Sequence, residues 1–92
     1  MNKTAVYFVG IGGIGMSGLA QYFLAQGHAV AGYDRTLTPL TEKLVALGAT
    51  VTDSEDVTAI PPLFRDAAQT KVIYTPAIPA HSPLLDFFRT GE

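Results

Sequence analysis

Residues 6–34 read VYFVGIGGIGMSGLAQYFLAQGHAVAGYD, and this stretch decides the fold. It starts in a run of β-branched and aromatic residues, passes four glycines within six positions, continues as a helix-like pattern and ends in a second apolar run before Asp34. A strand, a glycine turn, a helix and a second strand within about thirty residues make one βαβ unit. The stretch therefore predicts two parallel strands joined through a helix.

The elements of this unit follow from their apolar patterns. Ala5–Val9 is a continuous apolar run, which is typical of a strand buried on both faces of a parallel sheet. Residues 28–33 form the second strand, and Gly27 is placed to end the helix between them. The predicted buried stripe of that helix has helical spacing and consists of Met16, Leu19, Ala20, Phe23 and Leu24.

The pattern continues beyond Asp34 with a second helix and two more strands. Thr38 is a candidate cap with Pro39 at the first helical position, and Gly48 is placed to terminate the helix. Its predicted buried face consists of Leu40, Leu44 and Leu47. Residues 49–52 and 71–75 are the third and fourth strands.

The remaining segments give one clear and one weak pattern. Ser82 and Pro83 open a last helix, whose apolar face comes from the letters LLDFF. Residues 53–69 have no regular period, although LFRDAAQ within them predicts a short helix.

Together these elements predict an α/β fold: a small Rossmann-like, open and mostly parallel sheet of about four strands with flanking helices. We expect residues 1–92 to form a single domain. Ligands of such sheets bind outside the carboxyl ends of the strands. That edge is predicted to carry residues 10–15, 34–38, 53–54 and 75–82.

Composition narrows the classes of function. Six basic and eight acidic side chains give a net charge of −2, and the basic residues are scattered singly, so we expect no nucleic-acid partner and no membrane partner. Without cysteine there is no disulfide framework and no thiolate metal site, and two distant histidines argue against a histidine site. Residues 4–33 lack charge, as a membrane anchor does, but their glycine density weakens such a helix.

The glycine loop matches G-x-G-x-x-G between a strand and a helix, the context that gives the motif meaning. Gly10 is expected to permit the tight turn, Gly12 to let backbone approach a diphosphate, and Gly15 to allow close packing of helix on strand. Backbone N–H groups at the helix start would receive the anion. The alternative is that these glycines only make a turn.

A nucleoside-triphosphatase loop is a poorer match. Gly10, Gly15 and Ser17 fit G-x-x-x-x-G-K-[ST], but Met16 stands at the lysine position. Without that cation the loop is predicted to bind a phosphorylated ligand and not to transfer phosphate.

Asp34 follows Gly15 by nineteen residues, where nicotinamide enzymes place an acid on the ribose hydroxyls. The adjacent Arg35 suits a 2′-phosphate, so the pair leaves NAD and NADP both open, and a solvated turn remains the structural alternative.

The chain also resembles a known family. The string FVGIGGIGMSGLA at residues 8–20 closely resembles the amino-terminal domain of Mur ligases, in particular those that add L-alanine to UDP-N-acetylmuramate, and the sibling that recycles murein tripeptide resembles it less. The similarity extends through LVALGATV and KVIYTPAIP. Where many members have two serines, this chain has Thr75 and Pro76, and the proline removes a hydroxyl and a backbone donor.

The resemblance implies that the domain binds the UDP part of UDP-N-acetylmuramate. The loop would face the diphosphate, Asp34 and Arg35 would lie toward the nucleoside, and the segment after the fourth strand would supply further contacts. The implied set is Gly12, Gly13, Ile14, Gly15, Met16, Ser17, Asp34, Arg35, Thr75, Ala77, His81 and Ser82.

In this family the ligation chemistry belongs to other domains, so the resemblance implies a cytoplasmic, multidomain enzyme of peptidoglycan synthesis, and hence of cell-wall growth, cell shape and division. ATP and Mg²⁺ would be its cofactors and L-alanine its second substrate, with no catalytic residue, metal or cofactor in these 92 residues. Two alternatives stay open: the NAD-binding half of a dehydrogenase, and a regulatory domain that senses a nucleotide.

Overall fold

The computed structural model describes residues 5–66, 68–74 and 82–90. Along the chain these residues form four strands and three α-helices: β1 (Ala5–Val9), α1 (Ile14–Ala25), β2 (Ala29–Tyr33), α2 (Pro39–Ala46), β3 (Thr50–Thr52), β4 (Thr70–Tyr74) and α3 (Pro83–Thr90). Two short 3₁₀ turns, Val57–Ala59 and Pro62–Phe64, lie between β3 and β4.

The four strands form one parallel sheet in the order β3-β2-β1-β4. Val9 at the end of β1 is level with Tyr33 and Tyr74, and Tyr33 is level with Thr52. The carboxyl ends of all four strands therefore meet at one edge of the sheet. The predicted small Rossmann-like α/β fold is confirmed.

The central strand β1 is buried on both faces, with every residue at most 1% exposed. Val6 and Phe8 face a cluster formed with α1 and α2, which includes Met16, Ala20 and Leu44. The alternate β1 side chains face the opposite cluster of α3 and the 3₁₀ turns; its members include Tyr7, Val9, Phe64, Leu84 and Phe88. Two apolar layers thus explain why the β1 sequence lacks polar alternation.

The helix ends follow the predicted sequence signals. Gly27 and Gly48 have φ angles of +86° and +115° just after α1 and α2, in the left-handed region that glycine adopts without strain. At the start of α2, the Thr38 hydroxyl accepts the Thr41 N–H and the Thr41 hydroxyl accepts the Thr38 N–H, which is a capping box.

Two predicted core positions are wrong. Leu47 was expected on the buried face of α2, but it is the C-cap residue and is 52% exposed. The eight-residue helix α2 ends at Ala46, before Leu47, and its buried residues are Thr41 and Leu44. Leu19 on α1 is 43% exposed, and the buried apolar residues of that helix are Met16 and Ala20.

The predicted short helix in LFRDAAQ is also wrong where the structure describes it: only the 3₁₀ turn Pro62–Phe64 forms there. Arg65 stabilises this region by donating to the carbonyl oxygens of Val57 and Ile60, at 2.6 and 3.2 Å, and its guanidinium lies over the Phe87 ring. Hydrogen bonds from one side chain to backbone carbonyl oxygens therefore hold this segment, in place of the backbone hydrogen bonds of the predicted helix.

Candidate functional site

The glycine loop leaves β1 and is held against the end of β2. The amides of Gly10 and Ile11 both donate to the Tyr33 carbonyl oxygen, at 2.7 and 3.0 Å, and the Gly13 amide donates to the Gly10 carbonyl oxygen at 3.2 Å. Gly10 has a φ of +94°, so the tight turn requires a glycine there as predicted.

Asp34 joins the loop from the end of β2. Its Oδ2 accepts the Gly12 N–H at 2.8 Å, and its Oδ1 accepts the Thr36 N–H at 3.0 Å. The two segments that the sequence analysis placed at one sheet edge are therefore in direct contact.

The structure shows why a side chain does not fit at Gly12. A Cβ at this position would lie 2.8 Å from Asp34 Oδ2 and 3.1 Å from Thr41 Cγ2. The close neighbours of that Cβ position are the Asp34 carboxylate and α2, and the approach of a diphosphate to Gly12 stays a prediction. Glycine lets the loop backbone reach that carboxylate.

The start of α1 is uncapped: its N-cap residue is Gly13, which makes no side-chain cap, and its first turn holds no acidic residue. The first amides of a helix have no partner within the helix, and the helix dipole makes this end positive. A Cβ on Gly15 would meet nothing within 4 Å, so the predicted role of Gly15 in helix-to-strand packing is wrong. The first turn instead borders open space, which suits an anion.

Sequence reasoning missed two residues that seat the loop. Ile11 is fully buried, and a Cβ on Gly32 would lie 2.9 Å from Ile11 Cβ and 2.7 Å from the Phe8 carbonyl oxygen. Gly32 therefore leaves the space in β2 into which Ile11 packs. The signal was present, because a glycine inside a strand often marks a close approach of another backbone.

The side chains of Met16 and Ser17 are buried, so these residues can meet a ligand chiefly through their backbone groups. Ile14 begins α1. Met16 is 6% exposed and packs in the α1–α2 cluster, and Ser17 is 4% exposed with its amide bonded to the Gly13 carbonyl oxygen at 2.8 Å. The predicted contribution of Met16 to an anion site is thus limited to its main chain.

The electrostatic surroundings of Asp34 are mixed. Arg35 is exposed beside it. Burial, and after it the neighbouring Glu55 carboxylate, raise the pKa of Tyr33, the residue whose carbonyl oxygen holds the loop.

The described part of the chain contains no cluster of three or more metal-ligating His, Cys, Asp or Glu side chains. Nor does any helix within residues 5–66, 68–74 and 82–90 have the length and apolar character needed to cross a membrane.

Comparison with known proteins identifies the family. Residues 5–89 match the family model described as "Mur ligase family, catalytic domain". The chain belongs to the Mur ligase family.

Relatives named UDP-N-acetylmuramate–L-alanine ligase are similar to this Mur ligase chain over most of its length. The protein from Phocaeicola vulgatus is 51% identical over 85 residues, which is 92% of this chain and 19% of the relative. The protein from Parabacteroides distasonis is 50% identical over 90 residues, 97% of this chain and 20% of the relative. The protein from Porphyromonas gingivalis is 47% identical over 86 residues, which is 94% of this chain and 19% of the relative. The chain spans about a fifth of the length of these relatives.

The remaining predicted site residues follow β4. Thr75, Ala77 and His81 lie outside the described residues. Ser82 is 4% exposed, and its hydroxyl accepts the Leu85 N–H at 3.4 Å at the start of α3. The structure therefore gives Ser82 a capping role, as its position before Pro83 predicted.

Proposed function

We propose that this Mur ligase chain binds the UDP part of UDP-N-acetylmuramate and holds its diphosphate at the uncapped start of α1, residues 13–16. The observation that carries the proposal is the first turn itself, which has a glycine N-cap, no acidic side chain and open space at Gly15. The positive end of the helix dipole, and amides that have no acceptor within the helix, favour a phosphorylated ligand there. The names of the similar proteins supply the ligand.

The proposed contacts follow the geometry of the edge. Backbone of the loop would receive the diphosphate, while Asp34 and Arg35 would face the nucleoside. The loop residues of this proposal are Gly12, Gly13, Ile14, Gly15, Met16 and Ser17. From the segment after β4 we include Thr75, Ala77, His81 and Ser82, with Ser82 acting chiefly through its position at the start of α3.

The whole enzyme would then be an ATP-dependent ligase of peptidoglycan synthesis that joins L-alanine to the bound substrate in the cytoplasm. ATP and Mg²⁺ would bind to parts of the protein other than these 92 residues. The role of the present residues is to bind and orient the nucleotide end of the substrate. Anion binding through backbone amides and the dipole of α1 does not require a side-chain cation. This is consistent with Met16 at the position where a nucleoside-triphosphatase loop has lysine.

Isothermal titration calorimetry of the 92-residue chain tests this proposal with UDP-N-acetylmuramate in one series and NADH in another. We expect saturable binding of the UDP-sugar and none of NADH. Binding of NADH alone would contradict the proposal and favour a dehydrogenase half-domain. Silence with both ligands would contradict it as well.

A further inference from the structure

The amides of the glycine loop are already used within the fold, and this determines which amides remain for a ligand. Four consecutive N–H groups have protein acceptors: those of Gly10 and Ile11 on the Tyr33 carbonyl oxygen, that of Gly12 on Asp34 Oδ2 and that of Gly13 on the Gly10 carbonyl oxygen. The Ser17 amide donates to the Gly13 carbonyl oxygen. The amides between them, residues 14–16, are those that an anion can take.

We propose that Asp34 is a positioning residue for this anion site, acting through the Gly12 amide. This inference rests on the proposed function. By accepting the Gly12 N–H at 2.8 Å, the carboxylate fixes the loop immediately before the helix start. It thereby holds residues 14–16 in the arrangement that receives the diphosphate. Gly12 then contributes to the site through the position of its backbone, because its own N–H is bonded to Asp34.

The packing around Gly12 supports a positioning role. The Gly12 backbone approaches so closely that a Cβ would lie 2.8 Å from Asp34 Oδ2 and 3.1 Å from Asp34 Cγ. Thr41 Cγ2 lies 3.1 Å from the same Cβ position; Thr41 is 1% exposed, and its hydroxyl donates to the Thr38 carbonyl oxygen at 2.8 Å. The loop backbone at Gly12 thus lies close to both a carboxylate and a fixed side chain of α2.

The second carboxylate oxygen is engaged too, because Oδ1 accepts the Thr36 N–H at 3.0 Å. One side chain therefore links the glycine loop to the turn after β2. Hydrogen bonds to a charged acceptor are stronger than neutral ones, so this link is suited to fixing backbone geometry.

The alternative role is direct contact with the nucleoside, and two probes separate the roles. Inorganic pyrophosphate has no nucleoside, so only a change in the diphosphate site alters its binding. UDP carries both parts. A positioning residue affects both probes, whereas a nucleoside contact affects UDP alone.

The test uses NMR titrations of the 92-residue chain with UDP and with pyrophosphate, comparing wild type, Asp34→Asn and Asp56→Asn. Asp56 is a matched control because its Oδ1 accepts an N–H two residues ahead, from Thr58 at 2.9 Å, in an exposed turn after β3. Amide hydrogen exchange at Gly12 is measured in all three proteins.

We expect Asp34→Asn to speed Gly12 exchange at least about tenfold and to weaken both probes by about tenfold, since one charged hydrogen bond is lost. Asp56→Asn should change neither. If Asp34→Asn does not fold, Gly12→Ala is measured instead, because it displaces the carboxylate while keeping its charge. We expect weaker pyrophosphate binding there as well.

Unchanged pyrophosphate affinity in the measured variant would overturn the inference, and weaker UDP alone would assign Asp34 to the nucleoside. Tighter pyrophosphate binding by Asp34→Asn would also overturn it, since the carboxylate would then act only by repulsion. A wild-type chain that binds neither probe overturns the proposed function, and a protected Gly12 amide in that chain would leave Asp34 with a purely structural role.

Discussion

Two helices begin at the same edge of the sheet, and their first turns differ in how their amides are satisfied. α2 has Thr38 and Thr41 in a capping box and the acidic Glu42 in its first turn. α1 has Gly13 as its N-cap, without a side-chain cap or an acidic residue in the first turn. The fold caps the start of α2 with its own side chains and leaves the start of α1 without a side-chain cap.

The difference separates stability from binding within one small protein. A capping side chain typically contributes about 1 kcal/mol, so the uncapped start of α1 is a stability cost that the proposed binding role would explain. Solvent reaches the first turn of α1 at Gly15, which is exposed. Unpaired amides that water or an anion can reach are tolerable, whereas an unpaired group in the core is not.

The largest expected effect on stability comes from a polar group buried in the core, in contrast to the exposed start of α1. The Tyr7 hydroxyl is buried without a hydrogen-bond partner among the described residues, and burial raises the pKa of Tyr7 from 10.0 to about 12. We expect Tyr7→Phe to increase the free energy of unfolding by about 1 kcal/mol at neutral pH, because an unsatisfied group is removed.

The same substitution should change the pH dependence. With its pKa raised in the folded state, Tyr7 keeps its proton longer there than in the unfolded chain, so wild-type stability should fall between about pH 10 and pH 12. The loss is about 3 kcal/mol by linkage, and Tyr7→Phe should lack it. Urea unfolding of both proteins across this pH range measures the difference. Parallel curves would contradict the raised pKa of Tyr7.

Gly32→Ala tests whether the loop before α1 depends on its seat in β2. A Cβ there would lie 2.7 Å from the Phe8 carbonyl oxygen and 2.9 Å from Ile11, so we expect a loss of about 3 kcal/mol in the free energy of unfolding. Gly18→Ala, which meets no neighbour, should instead gain about 1 kcal/mol from helix propensity. Equal stabilities in urea unfolding would contradict the close approach.

Gly13→Asp sharpens the comparison by giving α1 the kind of cap that α2 has. The backbone of Gly13 is already extended, at φ −64° and ψ 150°, and a Cβ would have ordinary contacts no closer than 3.5 Å. We expect stability to rise by about 1 kcal/mol while affinity for UDP falls at least about tenfold, because a carboxylate occupies the amides. Thermal unfolding and calorimetry measure the two effects. A rise in both would place the ligand elsewhere.

Thr38→Ala removes the existing cap and should cost about 1 kcal/mol of stability. The Thr38 hydroxyl accepts the Thr41 N–H at 3.3 Å, and this bond would be lost. Urea unfolding is the measurement, with Thr58→Ala as a comparison, because the Thr58 hydroxyl donates to Asp56 in an exposed turn. A cost no larger than that of Thr58→Ala would show that the capping box adds little.

Sequence alone predicted the elements that local rules determine. The apolar run of β1, the proline at the start of α2 and the glycines after both helices each act on their own neighbours, and all were found in place. The common edge of the glycine loop and Asp34 followed from parallel topology.

What the sequence did not predict depends on contacts between distant residues. The hydrogen bond from the Gly12 N–H to Asp34 joins residues 22 positions apart. No rule of sequence spacing predicts which loop amides form hydrogen bonds within the fold. Leu47 was assigned by helical period, but α2 ends at Ala46, before it. The turns between β3 and β4 are held by Arg65, whose bonds to two carbonyl oxygens have no periodic signature.

The most direct test of the account compares the two helix starts in one experiment. Amide chemical shifts of residues 14–16 and of residues 39–42 are followed by heteronuclear NMR while UDP-N-acetylmuramate is added. We predict saturable shifts in the first turn of α1 and much smaller ones in that of α2, because only α1 is uncapped. Larger shifts in α2, or none in either helix, would contradict the claim that the uncapped helix receives the diphosphate.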